Sequence, residues 1–399
     1  MSLTFAIRSI SSSTLRVLAA CLMFLSFTQL PAYADHIHHL WYNNSDWQDQ
    51  DLTTLTNGGI PSAYGAIAAF RTTPNNQLHV YYVDENTWHM HQLYYNGKTW
   101  SDDDLTSYTG GPQAIPYGIS GFSIGNLQYV FYVSNPDYHV HEISYNNADW
   151  SDQDLTGLVG GNQANPQPIL AFATKPNNQF HLYYQDLTTL HMYQLYFNGT
   201  SWTYQDLTSI LGGAYCFRSE WIAGFASGNL QHLFCMGYGK YSNNLDLLHI
   251  YYNNSTWVYE DVTVKSGAAP MDQYAAVAGF NVPSAKTMEV YGITDSGDFN
   301  QFTHLTGPAR WNDYDMTNFL GVPGDSEPGG IVGFVTPGNQ YHIYYAPEAP
   351  YSEVYQLYYN GDAWTVDDLT NGEGDADPTS GMAGFAIGNL QHVFYMSID

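Results

Sequence analysis

Basic residues are scarce in this chain: 10 lysines and arginines face 37 aspartates and glutamates over 399 residues, for a formal charge of -27. So acidic a surface repels nucleic acid and anionic membranes and excludes both as main partners. Cysteine is almost absent, with three in all, so no cystine framework holds the fold, which must rest on packing. Helical signals are lacking too. No stretch of about ten residues or more combines helical apolar spacing with capping residues, and after residue 34 no apolar run is long enough to cross a bilayer. Aromatic residues, in contrast, make up 16% of the chain, with 35 tyrosines and 10 tryptophans, which excludes an acidic disordered polymer.

The one long apolar run, VLAACLMFLSF, follows Arg8 and Arg16 and precedes AYA at 32–34, the small-x-small pattern that signal peptidases cut. Residues 1–34 therefore read as a signal peptide, and residues 35–399 as a single exported, soluble domain with no membrane insertion. LAAC ending at Cys21 offers a competing lipoprotein reading, but few apolar residues separate it from Arg16 and most of the run follows it. Cleavage leaves Cys216 and Cys235, which an oxidising compartment would allow to pair. The sequence alone leaves open whether they meet.

Self-similarity is the strongest signal. Trp, three residues, Asp, an apolar residue and Thr recur as WQDQDLT, WSDDDLT, WSDQDLT, WTYQDLT, WVYEDVT, WNDYDMT and WTVDDLT. Their tryptophans, Trp47, Trp100, Trp150, Trp202, Trp257, Trp311 and Trp364, are spaced 53, 50, 52, 55, 54 and 53 residues apart. Each unit carries four short β signals, a to d, separated by Gly/Asn/Asp/Pro clusters; in the unit of Trp150 they are YGISGFSI, LQYVFYVS, HVHEISYN and WSDQDLT. Seven four-stranded antiparallel units predict an all-β, seven-bladed β-propeller. The chain opens on strands c and d (HIHHLWYN, WQDQDLT) and closes on a and b (GMAGFAI, LQHVFYMS), so the last blade is completed by joining the termini.

Residues present in every unit fit an architectural role. In strand d, Trp100, Asp102 and Asp104 share parity and point one way, and Asp103 points the other. The motif Asp and Thr suit capping of turn N–H groups. Calcium is the functional alternative, but Tyr204 and Val366 replace a carboxylate in two units. Strand c shows histidine pairs at 36/38, 89/91 and 139/141, which share a face. Zinc would need a third ligand that the local sequence lacks, and the later units put Tyr or Leu there, which favours packing and hydrogen bonding between blades. No metal or cofactor is expected.

The other face of strand c holds His39, Gln92, Glu142, Gln194, His249 and Gln356, and strand b holds His79, Tyr129, His181, His232, Glu289, His342 and His392. Paired by blade these give His79 with Gln92, Tyr129 with Glu142, His181 with Gln194, His232 with His249, His342 with Gln356, and His392 with His39 across the closure. A saccharide asks for such aligned donors and acceptors beside a flat ring; Trp47, Trp100, Trp150, Trp202, Trp257 and Trp364 are the candidate rings, with Trp100 read as the neighbour of Gln92. The sixth unit departs from the pattern, DFNQFTHLTGPARW standing where HxHxLYYN is expected, and reads as a decayed blade rather than a specialised site.

With LHVYY, HMHQLYYNG and TW in this order, the unit resembles the repeat of the fucose-binding β-propeller lectins of fungi and bacteria. The resemblance spans every repeat. It implies sugar pockets between adjacent blades, in which an arginine and a glutamate bind hydroxyls and an aromatic stacks on the ring. Carried over, the arginine position falls on His79, His181, His232, His342 and His392, and the glutamate position on Gln92, Glu142, Gln194, Gln356, His39 and His249. No unit keeps the Arg/Glu pair. The function expected is multivalent, non-catalytic binding of glycans. A structural or protein-docking propeller is the alternative, and a glycan hydrolase the least supported, since no carboxylate pair stands out against the repeat. The sequons at Asn43, Asn198, Asn253 and Asn254 fall at strand-end turns.

Overall fold

The computed structural model describes residues 35–398 except 64, 214, 217–221, 240–243, 274–275, 306–309, 325–329, 348–352 and 371–376. The predicted signal peptide and Cys21 lie outside the described residues. Seven antiparallel sheets, each ordered a-b-c-d, form a ring in which every strand a touches strand a of the next blade. Blades are numbered here by their tryptophans, so that Trp47 marks the first and Trp364 the seventh.

Closure follows the prediction. Strand c of blade one, Asp35–Tyr42, pairs with the C-terminal strand b, Leu390–Ile398, in unbroken register from Asp35 opposite Ile398 to Tyr42 opposite Gln391. The sixth unit corrects the expectation of decay. Its strands Ala278–Val282, Thr287–Ile293, Phe299–Leu305 and Arg310–Asp315 form a complete sheet, in which Phe302 is buried at the register position that Leu93 holds in blade two and Phe299 at that of Met90. In blade five, strand a is split into Tyr215–Cys216 and Ile222–Ser227, both paired to strand b. A Cys216–Cys235 disulfide ties the first piece to that strand.

Strand b lies between two neighbouring blades, so both of its faces are buried. Leu78–Val83 is buried throughout: Val80 and Tyr82 pack with Phe394 of blade one, while Tyr81 and Val83 pack with Val130 and Tyr132 of blade three.

The repeated Asp-x-Thr organises the outer edge. Aspartates 51, 104, 154, 206, 261 and 315 each cap a one-turn helix by accepting the N–H three residues on. The threonine hydroxyl accepts the backbone N–H at the start of strand c in all seven blades, from Thr53 with Ile37 to Thr370 with Val354, at 2.8–3.0 Å. The strand c histidines belong to the same edge, which corrects the expectation that they bond between blades. His89 Nδ1 lies 2.7 Å from Asp104 Oδ2 and His91 Nδ1 2.7 Å from Asp102 Oδ1, both within one blade, and blades one and three repeat the arrangement.

Candidate interblade clefts

Alternation along strands b and c brings His79, Tyr81, Gln92 and Tyr94 onto one face of blade two, against blade three. Gln92 Nε2 donates to His79 Nδ1 at 2.9 Å and lies 2.7 Å from the Tyr81 hydroxyl and 2.9 Å from Gln128 Oε1 of blade three. Tyr81 donates to the same Gln128 oxygen. His79 Nε2 faces the Thr72 hydroxyl at 3.3 Å. This pattern needs a neutral ring, and burial pulls the His79 pKa down to about 3. The result is a rigid polar floor that joins two blades.

Above it opens a cleft of about 360 Å³. Tyr94 forms one wall, stacked on His79 at 5.2 Å and 18°. Tyr145 and Trp150 of blade three form the other. Asn126 reaches the rim with a buried side-chain oxygen that has no hydrogen-bond partner.

Two further seams repeat this cleft: blades four and five, at about 570 Å³, and blades seven and one, at about 370 Å³. Their floors are His181, Tyr183 and Gln194 with Gln231, and His342, Tyr344 and Gln356 with Gln391. Nine lining positions carry the same residue type in all three clefts: three Gln, two Asn, two Tyr, one His and one Trp. Among the described residues, no lysine or arginine lines any of them.

The ring shares its fold with solved propeller lectins. The BP39L lectin of Burkholderia pseudomallei is 16% identical, with a TM-score of 0.61 over 81% of this chain and 89% of that one. The SapL1 lectin, solved with alpha methyl fucoside, is 16% identical, with a TM-score of 0.51 over 77% and 97%. AofleA from Arthrobotrys oligospora is 12% identical, with a TM-score of 0.52 over 84% and 90%. At these identities the likeness is one of fold. No protein-family profile matches the sequence, and no curated protein does.

The structure reassigns the tryptophans. Trp100 does not face Gln92; it stands edge-on to His39 and Phe394, at 5.6 and 6.1 Å, in the seam of blades one and two. Each cleft instead takes its tryptophan from the following blade: Trp150 for His79 and Gln92, Trp257 for His181 and Gln194, Trp47 for His342 and Gln356. Gln128, Gln231 and Gln391, absent from the sequence-based candidates, complete the floors. Their signal was GNLQ opening strand b in units three, five and one, where units two and four carry Leu78 and Phe180 at the glutamine's position.

The remaining candidates fall into two other settings. His232 Nδ1 meets His249 Nε2 at 2.9 Å, and His392 Nδ1 meets His39 Nε2 at 3.0 Å. Here the imidazoles act as packed rings: His249 stacks on Phe234 at 4.6 Å and 9°, and His39 on Phe394 at 4.5 Å and 10°. Tyr129, Glu142 and Trp202 line a cleft of about 620 Å³ between blades three and four. Glu289 and Trp364 line one of about 570 Å³ between blades six and seven.

Proposed function

We propose that the protein is a secreted, non-catalytic, multivalent lectin, and that the seams of blades two and three, four and five, and seven and one hold neutral, hydroxyl-rich saccharides. The threefold recurrence of the same nine-residue lining carries this reading. A glutamine-histidine-tyrosine floor fixed by its own hydrogen bonds presents oriented dipoles, asparagine and glutamine side chains at the rim reach hydroxyls, and tyrosine and tryptophan offer flat faces to sugar C–H groups. The propeller lectins of like fold support it. Catalysis is disfavoured by the one variable floor position: Asp103 and Asp367 give way to Gln205 in the third cleft, so no carboxylate is common to the sites. Three weak sites on one rigid ring gain by avidity on a glycan-coated surface. Export rests on the apolar run and AYA pattern of residues 1–34.

A glycan array probed with the mature chain, followed by calorimetry, tests the proposal. Neutral termini should bind with three sites per chain, and Gln128→Leu should lower the count to two. Silence across a broad array from folded protein would sink the reading.

A further inference from the structure

The clefts between blades three and four and between six and seven differ in chemistry from the three just described. We propose that these two clefts form a second class of site, which binds an organic ammonium group such as the protonated amine of an amino sugar. The proposal goes beyond the neutral-sugar reading and does not depend on it.

Both clefts set one buried carboxylate against three aromatic rings of the following blade. In the first, Glu142, 9% exposed, shares the lining with Phe180, Phe197 and Trp202, whose neighbouring rings stand 5.3–6.3 Å apart. In the second, Glu289, 2% exposed, shares it with Tyr341, Tyr359 and Trp364, at 5.0–6.2 Å. The carboxylate comes from strand c in one cleft and from strand b in the other, while the trio occupies equivalent positions. Two seams thus reach one chemistry by different substitutions. Ring faces and a carboxylate together select a cation, because the ring quadrupole and the anion attract the same charge in a partly dry cleft.

The partners of each carboxylate leave that role open. Glu289 Oε2 accepts from Gln301 Nε2 at 2.9 Å and the Thr303 hydroxyl at 2.6 Å, both neutral. Thr287, 8% exposed and in the same lining, sets its hydroxyl beside Glu289 and Tyr341 and is neutral as well. Among the described residues, Arg310 and Asp315 are the other charged ones lining that cleft, and Arg310 is exposed. The lining beside Glu142 holds no basic side chain among the described residues; Tyr129 and, one strand away, Asp152 are its titratable neighbours. The Glu142 cleft should therefore bind the ammonium more tightly. Burial pushes Glu142 up to about 7 and raises Glu289 too, a penalty that a bound cation offsets.

The test is calorimetric titration of the full mature chain, near neutral pH, with methyl glucosaminide, its N-acetyl counterpart and methyl glucoside. The amine should show two sites that the N-acetyl and hydroxyl compounds do not fill. Glu142→Gln and Glu289→Gln should each weaken one of them about tenfold or more. Glutamine already occupies the Glu142 position in blades two, four and seven, so that variant should fold, and the melting curve reports whether it does. Trp202→Leu, which keeps the carboxylate, should weaken the same site as Glu142→Gln. Amine binding that survives in the double glutamate variant would be attraction to the bulk acidic surface and would overturn the proposal, as would equal binding of the N-acetyl compound. A silent glycan array leaves these outcomes readable.

Discussion

At the scale of single residues, the repeated motif holds strand c against the helical turn that follows strand d. The Thr106 hydroxyl accepts the Met90 N–H at 2.8 Å, and Met90 is fully buried. Thr106→Val keeps the shape and removes the acceptor, so urea melts should show a loss of about 1–3 kcal/mol, which Thr106→Ser restores; an unchanged midpoint would contradict the role. This part was legible in the sequence, since an Asp and a Thr two residues on, closing an outer strand, suit capping and little else. The histidine partners were not. Parity places His91 and the strand d aspartates on one face, but His91 stands opposite Asp104 and bonds Asp102. Strand twist selects that diagonal, and the sequence does not encode it at any one position.

At the scale of the blade, one position decides what each seam becomes. Where strand b of the second blade carries Gln128, Gln231 or Gln391, the floor closes and a sugar-sized cleft forms. Where it carries Phe180 or Tyr341, an aromatic wall faces a carboxylate. Blades two to five alternate between two kinds, and with seven blades the alternation must break once, which puts like beside like at blades six and seven. Comparing units one by one hid this. The tryptophan assignment failed for a simpler reason. Gln92 stands opposite Asp103, and Trp100 has the other parity, so Trp100 faces away from Gln92 toward blade one although the two are near along the chain. The consequence is measurable. Trp150→Ala should abolish neutral-sugar binding at one of three clefts while Trp100→Ala leaves the count at three and lowers the melting temperature, because Trp100 packs against Leu93 and Phe394 in the core. The reverse outcome would restore the original pairing.

For the whole molecule, the interblade histidines make the ring sensitive to acid. Burial holds His79, His181 and His232 near 3 and His342 and His392 near 4, and it lowers His39 and His249 as well. A folded pKa below the ordinary value of 6.5 means that the unfolded chain binds the proton first. Stability from these groups is therefore complete above about 6.5 and is lost as pH falls through the window down to about 3–4. Glu142, raised to about 7, and Asp35, raised to about 6, both by burial first, act with the opposite sign, favouring the fold at low pH and losing that contribution as pH rises. Histidines win by number and by shift. At about 1.4 kcal/mol per unit, even part of their combined shift rivals a net stability of about 5–15 kcal/mol. Each of these rings lies at a seam, and three of them form cleft floors that stay neutral in the folded ring down to about pH 3–4, so acid should cost stability before it alters the floors themselves. The melting temperature should fall steeply between pH 6.5 and 4, while the neutral-sugar affinity of the folded ring holds across that window. Since Asp35–Tyr42 and Gln391–Ile398 are locked together in blade one by eight consecutive paired positions, which closes the ring, the acid transition should be single and cooperative. A stability profile flat across that window would show that the seam histidines take up protons without cost, and the neutral hydrogen-bonded floor would have to be abandoned with it.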